Sequence, residues 1–263
     1  MSRKKILSAL IPGMILVTLA ATIVARATST PITNGIVGWW HFNESSGIVA
    51  NDASGTYDNG IFNNGTLTGS TLFTTDATRG SVLKVYGISG YVEYPYTTTF
   101  QPATGTISVW VKPSSLVLSD IVQQDTDLLI QCKIAGNLTA YALRMDNKGR
   151  AYAVIANDNP KTCARNVQTQ AYSSSGQIAV NEWTHLAMEW NGATLYLYVN
   201  GKQVSSTSYY AEPTYGLSYH GTTPMQVAAT GLLGSNYEGE LSDLRIYSRA
   251  LTSTEISDIY NGQ

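Results

Sequence analysis

Between Trp183 and Val199 the chain alternates with a period of two. In Trp183-Thr184-His185-Leu186-Ala187-Met188-Glu189-Trp190, the side chains of Leu186, Met188 and Trp190 share one face. Trp183, His185 and Ala187 share the other. That period marks a strand, and apolar groups on both faces mark one covered on both sides. Asn191-Gly192 supplies the positive backbone φ of a tight hairpin turn. Leu195, Leu197 and Val199 then point one way and Tyr196 and Tyr198 the other, before Asn200-Gly201 turns the chain again. Similar patterns predict strands over 36–42, 81–86, 91–94 and 106–113, with Ile107, Val109 and Val111 on one face. Further strands are expected at 127–134, 141–146 and 150–156, with Asn147-Lys148-Gly149 as the tight turn between the last two. Residues 158–176 read as polar and irregular, 208–223 as a long loop, 226–235 as a strand region and 238–248 as the closing strand. A short helix follows. Thr252 and Glu255 form its capping box, Ile256, Ile259 and Tyr260 dock it, and Asn261-Gly262 ends it. About a dozen short strands and one terminal helix predict an all-β fold, an antiparallel two-sheet jelly-roll sandwich.

At 263 residues the chain has length enough for one such domain with a proper core. Charged residues make up 13%, about half the usual share, while tyrosine reaches 17 copies. A polar but uncharged surface suits an extracellular or filament-forming protein. The first 27 residues hold four basic and no acidic groups, leaving 12 basic against 18 acidic in the rest. No basic patch appears, which argues against nucleic acid. Arg3, Lys4 and Lys5, the apolar run from Ile6 to Val24, and Ala25-Arg26-Ala27 read as a secretory signal over 1–27, cut after Ala27. The alternative is an uncleaved anchor, since the run is nearly long enough to span a bilayer. Membrane contact is expected only in that case. Residues 28–35 read as a linker and 36–263 as the domain. In an oxidising compartment Cys132 and Cys163 are expected to form a disulfide, the alternative being two buried thiols. With no paired histidines nearby they do not make a zinc site.

Several motifs carry a resemblance. They are Trp183-Thr184-His185, Leu197-Tyr198-Val199-Asn200-Gly201, Thr106-Ile107-Ser108-Val109-Trp110-Val111-Lys112-Pro113 and Arg245-Ile246-Tyr247-Ser248-Arg249-Ala250-Leu251. To these add the run from Gly35 through Trp39, Phe42 and Glu44 to Gly47, then Asp52-Ala53-Ser54-Gly55 and Gly65-Thr66-Leu67. Together they resemble the laminin-G-like/concanavalin A-like lectin and glucanase superfamily over residues 36–260. The resemblance implies a jelly-roll whose first and last strands meet, with His185 as a structural core residue. It also implies one structural calcium near the chain ends, for which Asp52, Asp243 and turn carbonyls would supply oxygens. The bland alternative is that Asp52 caps its turn and Asp243 accepts a hydrogen bond.

Glycanases on this fold carry paired carboxylates on one strand, and Glu238-Gly239-Glu240-Leu241-Ser242-Asp243 superficially resembles such a run. Glu238 and Glu240 alternate onto one face, as retaining hydrolysis needs, but Asp243 falls on the other face unless a bulge intervenes. His41 and His220 have no partner fixed by a motif. Carbohydrate binding needs aromatic faces with amide or carboxyl partners. Tyr209, Tyr210, Tyr215 and Tyr219 on the long loop offer these, or else form a subunit interface. Trp110, Tyr196 and Tyr198 either line a concave face or pack in the core. Asn43, Asn64 and Asn137 begin N-glycosylation tripeptides. The reading is a non-catalytic extracellular module that contacts glycans or protein partners. The first alternative is a self-assembling surface or filament subunit whose 28–35 arm adds to a neighbour's sheet edge. The second is a glycoside hydrolase.

Overall fold

The computed structural model describes residues 30–58, 61–62, 64–126, 138–159, 164–209, 224–229 and 237–262. Its strands begin with β1 (Ile36–Trp40), β2 (Val49–Ala50), β3 (Tyr57–Asp58), β4 (Ile61–Phe62), β5 (Gly65–Thr68) and β6 (Thr71–Asp76). Next come β7 (Gly80–Val85), β8 (Tyr91–Tyr94), β9 (Gly105–Pro113), β10 (Ser119–Thr126), β11 (Leu138–Met145) and β12 (Ala151–Asn159). The series closes with β13 (Ala164–Tyr172), β14 (Thr184–Trp190), β15 (Thr194–Val199), β16 (Lys202–Ser208), β17 (Met225–Val227), β18 (Gly239–Tyr247) and the helix α1 (Ser253–Tyr260).

Two large antiparallel sheets result, beside the small β3–β4 pair. The first runs β16-β15-β14-β9-β18-β7-β6, with β1 also paired to β18. The second runs β13-β12-β11-β10-β17-β8-β5-β2. Local chemistry sets the turns. Asn200 and Gly201 have φ of 50° and 73°, the pair of positive values that a two-residue hairpin needs, and they join β15 to β16. At the β11–β12 turn, Asp146 Oδ1 accepts from the backbone N–H of Lys148 (2.8 Å) and Arg150 (3.1 Å). A Cβ on Gly38 in β1 would lie 2.2 Å from the Trp40 ring, so only glycine lets that indole fold over its own strand.

The main core lies between the sheets and includes Trp40, Phe42, Tyr94, Val109, Val111, Tyr141, Leu186, Met188, Trp190 and Leu197. A second apolar cluster lies on the outer face of the first sheet. It joins Ile36, Ala187, Tyr198, Tyr247, Leu251, Ile256 and Ile259, with Ile32 packed against it. Every residue of β14 is therefore buried, as its two apolar faces predict, because α1 covers the side turned from the core.

Residues 30–35 are tied to the chain's own C-terminal segment. Tyr247 Oη donates to the Ile32 carbonyl at 2.9 Å and Arg249 Nε to the Asn34 carbonyl at 2.8 Å. These bonds hold residues 32 and 34 of the 28–35 arm, which the assembly alternative would send to a neighbour's sheet, against the chain's own last strand and the segment after it. Two other expectations change. Residues 164–172 are not irregular but form β13, paired with β12 from Tyr152↔Tyr172 to Asn159↔Ala164. Its polar sequence hides it because an edge strand needs few apolar side chains. Of the strand region expected over 226–235, the described residues form a strand at Met225–Val227, Ala228 follows it with φ of 63°, and residues 230–235 lie outside the described residues. The signal region 1–27, Cys132, Cys163, Asn137, His220, Tyr210, Tyr215, Tyr219 and the strand expected at 127–134 lie outside the described residues.

Candidate functional site

The outer face of the first sheet gathers most of the predicted chemistry. Near its middle His185 is fully buried, with Nε2 2.8 Å from Ser108 Oγ. Burial lowers its pKa to about 3, so the ring is neutral at ordinary pH and structural, as the resemblance implies. Trp110 is half-exposed on this face rather than in the core between the sheets. The Arg79 guanidinium lies 4.1 Å from its ring centroid and Tyr260 of α1 stacks on it at 5.5 Å.

β18 carries the acidic run through the centre of this sheet. Its register with β9 shifts between Ser242↔Trp110 and Arg245↔Ser108, and Asp243 has φ of 53°. That bulge puts Asp243 on the outer face with Glu240. Both carboxylates are engaged. Glu240 pairs with Lys112 at 3.1 Å and Lys84 at 3.8 Å, and Lys112 also bonds Asp76 at 2.7 Å. Burial would raise the Asp76 carboxyl, but Lys112, the Thr78 and Arg79 N–H groups and the Trp183 indole hold it well below its ordinary value. Asp243 accepts from Trp39 Nε1 at 2.6 Å and from Arg245 Nη2 at 2.9 Å and Nε at 3.0 Å. Burial opposes its charge, yet Arg245 and Trp39 lower its pKa. Glu238 is half-buried, and its carbonyl accepts from the Ser114 N–H at 2.9 Å.

The predicted metal ligands meet at Trp39 from different sides. Asp52 Oδ1 accepts from the Trp39 N–H at 3.0 Å and the Ser54 N–H at 2.9 Å. Its Oδ2 is buried and has no hydrogen-bond partner among the described residues. Glu44 is placed in the same way, with Oε1 accepting from the Asn51 N–H at 2.7 Å and Oε2 buried and unpartnered. After burial itself, Asp52 and Glu44 are the groups that push the buried Tyr94 hydroxyl well above its ordinary pKa. Two orphaned carboxylate oxygens are hard donors of the kind a cation such as calcium takes. Both Asp243 oxygens, in contrast, are already used. No group of three or more His, Cys, Asp or Glu side chains with metal-binding geometry occurs among the described residues. Glu44 stands in the quoted N-terminal run, but nothing in the sequence shows that one of its oxygens is buried without a partner.

Of the loop tyrosines, Tyr209 is described. It packs against the main core, and its hydroxyl oxygen accepts from the Gly192 N–H at 2.8 Å, which fixes the β14–β15 turn. Asn43 is exposed. Asn64 is half-buried and its Oδ1 accepts from the Asp52 N–H at 2.8 Å. His41 packs against Trp39 at a tilt of 50°, with ring centroids 4.4 Å apart.

A cleft of about 340 Å³ opens at the corner where α1 meets β14–β16, lined by Glu189, Asn191, Tyr196, Tyr198, Gln203 and residues 250–253. Glu189 is 6% exposed and accepts from Tyr198 Oη at 2.9 Å. Burial raises its pKa and the tyrosine bond opposes that rise. An acid between Met188 and Trp190 in a strand otherwise apolar on both faces was the sequence signal for this site, and it was passed over.

A family model described as the Concanavalin A-like lectin/glucanases superfamily, of laminin G type, matches residues 86–257. The chain belongs to that superfamily. Human usherin is 22% identical over 165 residues, which is 61% of this chain but 3% of usherin's length. The binding domain of Paraclostridial Mosquitocidal Protein 1 superposes with a TM-score of 0.63 at 15% identity, over 87% of this chain and 52% of that one. Trypanosoma rangeli sialidase in complex with sialic acid gives 0.62 at 14% identity, over 88% and 33%. Domain 4 of AbnA, a GH43 extracellular arabinanase from Geobacillus stearothermophilus solved with arabinotriose, gives 0.56 at 16% identity, over 86% and 98%. At such identities the superpositions establish the jelly-roll fold that the superfamily members share.

Proposed function

We propose that this chain is a non-catalytic binding module that works outside the cell, contacting glycans or protein partners. The observation that carries the proposal is the fate of the acidic run. Retaining hydrolysis needs one carboxylate free as nucleophile and a second as acid, about 5 Å apart. Glu240 is instead bound by two lysines, and Asp243 by an arginine and an indole. The binding domain of the mosquitocidal protein among the similar structures supports the reading, and the extracellular arabinanase supports the location. The 1–27 leader and a Cys132–Cys163 disulfide belong to the same proposal. Incubation with a broad glycan panel should release no reducing ends, while a glycan or protein array should retain the chain. Reducing ends whose release is abolished by Glu240→Gln would replace this reading with the hydrolase.

Within this module a calcium would be held by Asp52 and Glu44, with Asp243 serving Arg245. The ion would neutralise the buried Asp52 and the partly buried Glu44 and fix the turn against Trp39.

A further inference from the structure

Resting on the binding-module reading, we propose that the cleft between α1 and the β14–β15–β16 corner is a glycan site. It takes a neutral pyranose, whose apolar face lies on Tyr196 and whose vicinal hydroxyls donate to Glu189. The volume of about 340 Å³ lies at the small end of ligand clefts, roughly 300–1,000 Å³, and so suits one or two sugar rings. Sugars are recognised by an aromatic face beside fixed hydrogen-bonding groups, and the cleft holds that combination. Tyr196 stands directly across the ladder from Glu189. The Tyr198 hydroxyl orients the carboxylate. Asn191 Oδ1 accepts from the N–H groups of Ala193 (3.1 Å) and Thr194 (2.9 Å), which fixes that amide. Gln203 is exposed at the rim.

The acid itself is the strongest indication. A buried carboxylate is costly unless a cation pairs with it. Among the described residues no Lys or Arg forms an ion pair with Glu189, and one phenol hydroxyl bonds it. A group held at such cost beside an open cleft is a functional candidate. The charges around the cleft narrow the ligand. Thr252 caps α1 and Ser253 begins it, and the positive end of the helix dipole there is already met by Glu255, which accepts from the Thr252 N–H at 2.8 Å and pairs with Arg249 at 2.5 Å. Glu189 disfavours a carboxylate and offers acceptor oxygens to hydroxyl donors. A neutral polyhydroxyl ligand suits that arrangement, and a lysine-rich peptide tests the cationic one.

The test is an NMR titration of the full chain with galactose, glucose, mannose, xylose and arabino-oligosaccharides, using sialyllactose and a lysine-rich peptide as charged controls. The expected result is a neutral sugar that shifts signals of Tyr196, Gln203 and Ser253. Its affinity should weaken about tenfold or more in Tyr196→Ala and also fall in Glu189→Gln, with the melting temperature kept. Should Tyr196→Ala fail to fold, Gln203→Ala at the exposed rim gives the same comparison. A neutral sugar that binds equally well to the variants and shifts signals elsewhere overturns this site and leaves the module reading in place. Preference for sialyllactose or for the peptide at the cleft overturns the neutral-sugar assignment. No retention of any glycan or protein by the unmodified chain overturns both.

Discussion

His185 shows how a single side chain turns burial into a dependence on pH. The unfolded imidazole takes a proton near 6.5, while the folded one does so only at about 3. Between those values the unfolded state holds the extra proton, so stability falls as pH falls. Melting curves recorded from pH 6.5 downward should show this loss, and His185→Gln, which cannot take a proton, should show a shallower slope. Parallel slopes would mean that His185 contributes nothing to the effect. That His185 is a structural core residue was legible from the Trp183-Thr184-His185 motif and the resemblance it carries. Its partner was not, because Ser108 lies 77 positions away and one hydroxyl among many serines carries no signal. Glu189 escaped for a related reason: period-two alternation accounts for its neighbours, and what is unusual about it is an environment built by α1 and β15.

Among the elements, β18 departs furthest from its sequence pattern. Read as a plain strand, it sends Glu240 and Asp243 to opposite faces. The bulge at Asp243 reverses this, and nothing local betrays it, since aspartate is among the few residues that tolerate positive φ without being glycine. What the bulge achieves is the Asp243–Arg245 pair, with side chains 15% and 5% exposed. Removing one partner of a buried pair strands the other charge. Asp243→Ala should therefore lower unfolding stability by about 3 kcal/mol in denaturant titrations, whereas Asp243→Asn, which keeps the backbone preference, should lose less. Equal losses would assign the effect to the lost charge alone, with no share for backbone geometry. β13 makes the complementary point. ARNVQTQAY carries little apolar signal, and its identity as a strand depends on the β12 edge beside it. The β14–β15 hairpin, in contrast, was legible almost residue by residue, because the turns at Asn191-Gly192 and Asn200-Gly201 and the two faces all agree, whereas the polar β16 that follows was not.

Taken as a whole, the molecule is two stacked layers closed where its ends meet, and the motifs for that closure, from Gly35 to Gly47 and from Arg245 to Leu251, are visible in the sequence. The metal reading was less accessible. Sequence order suggested Asp52 with Asp243, whereas the unpartnered oxygens belong to Asp52 and Glu44; only the packed structure shows which oxygens are already occupied. Adding calcium to chelator-treated protein should raise its melting temperature, and Glu44→Gln combined with Asp52→Asn should abolish the rise, as linkage requires of a ligand that binds only the folded state. A melting temperature indifferent to calcium would remove the ion from the account. The meeting of the ends has one more consequence. β1 runs antiparallel to β18, with Ile36 opposite Tyr247 at the corner where both segments leave the sheet. Tension drawn between the two ends would load that ladder one rung at a time, as in a zip, after the Asn34–Arg249 and Ile32–Tyr247 bonds let go. Pulled from the rest of its surface, the domain meets force with whole rows of rungs in shear. The same molecule is therefore mechanically soft along one axis and stiff along others.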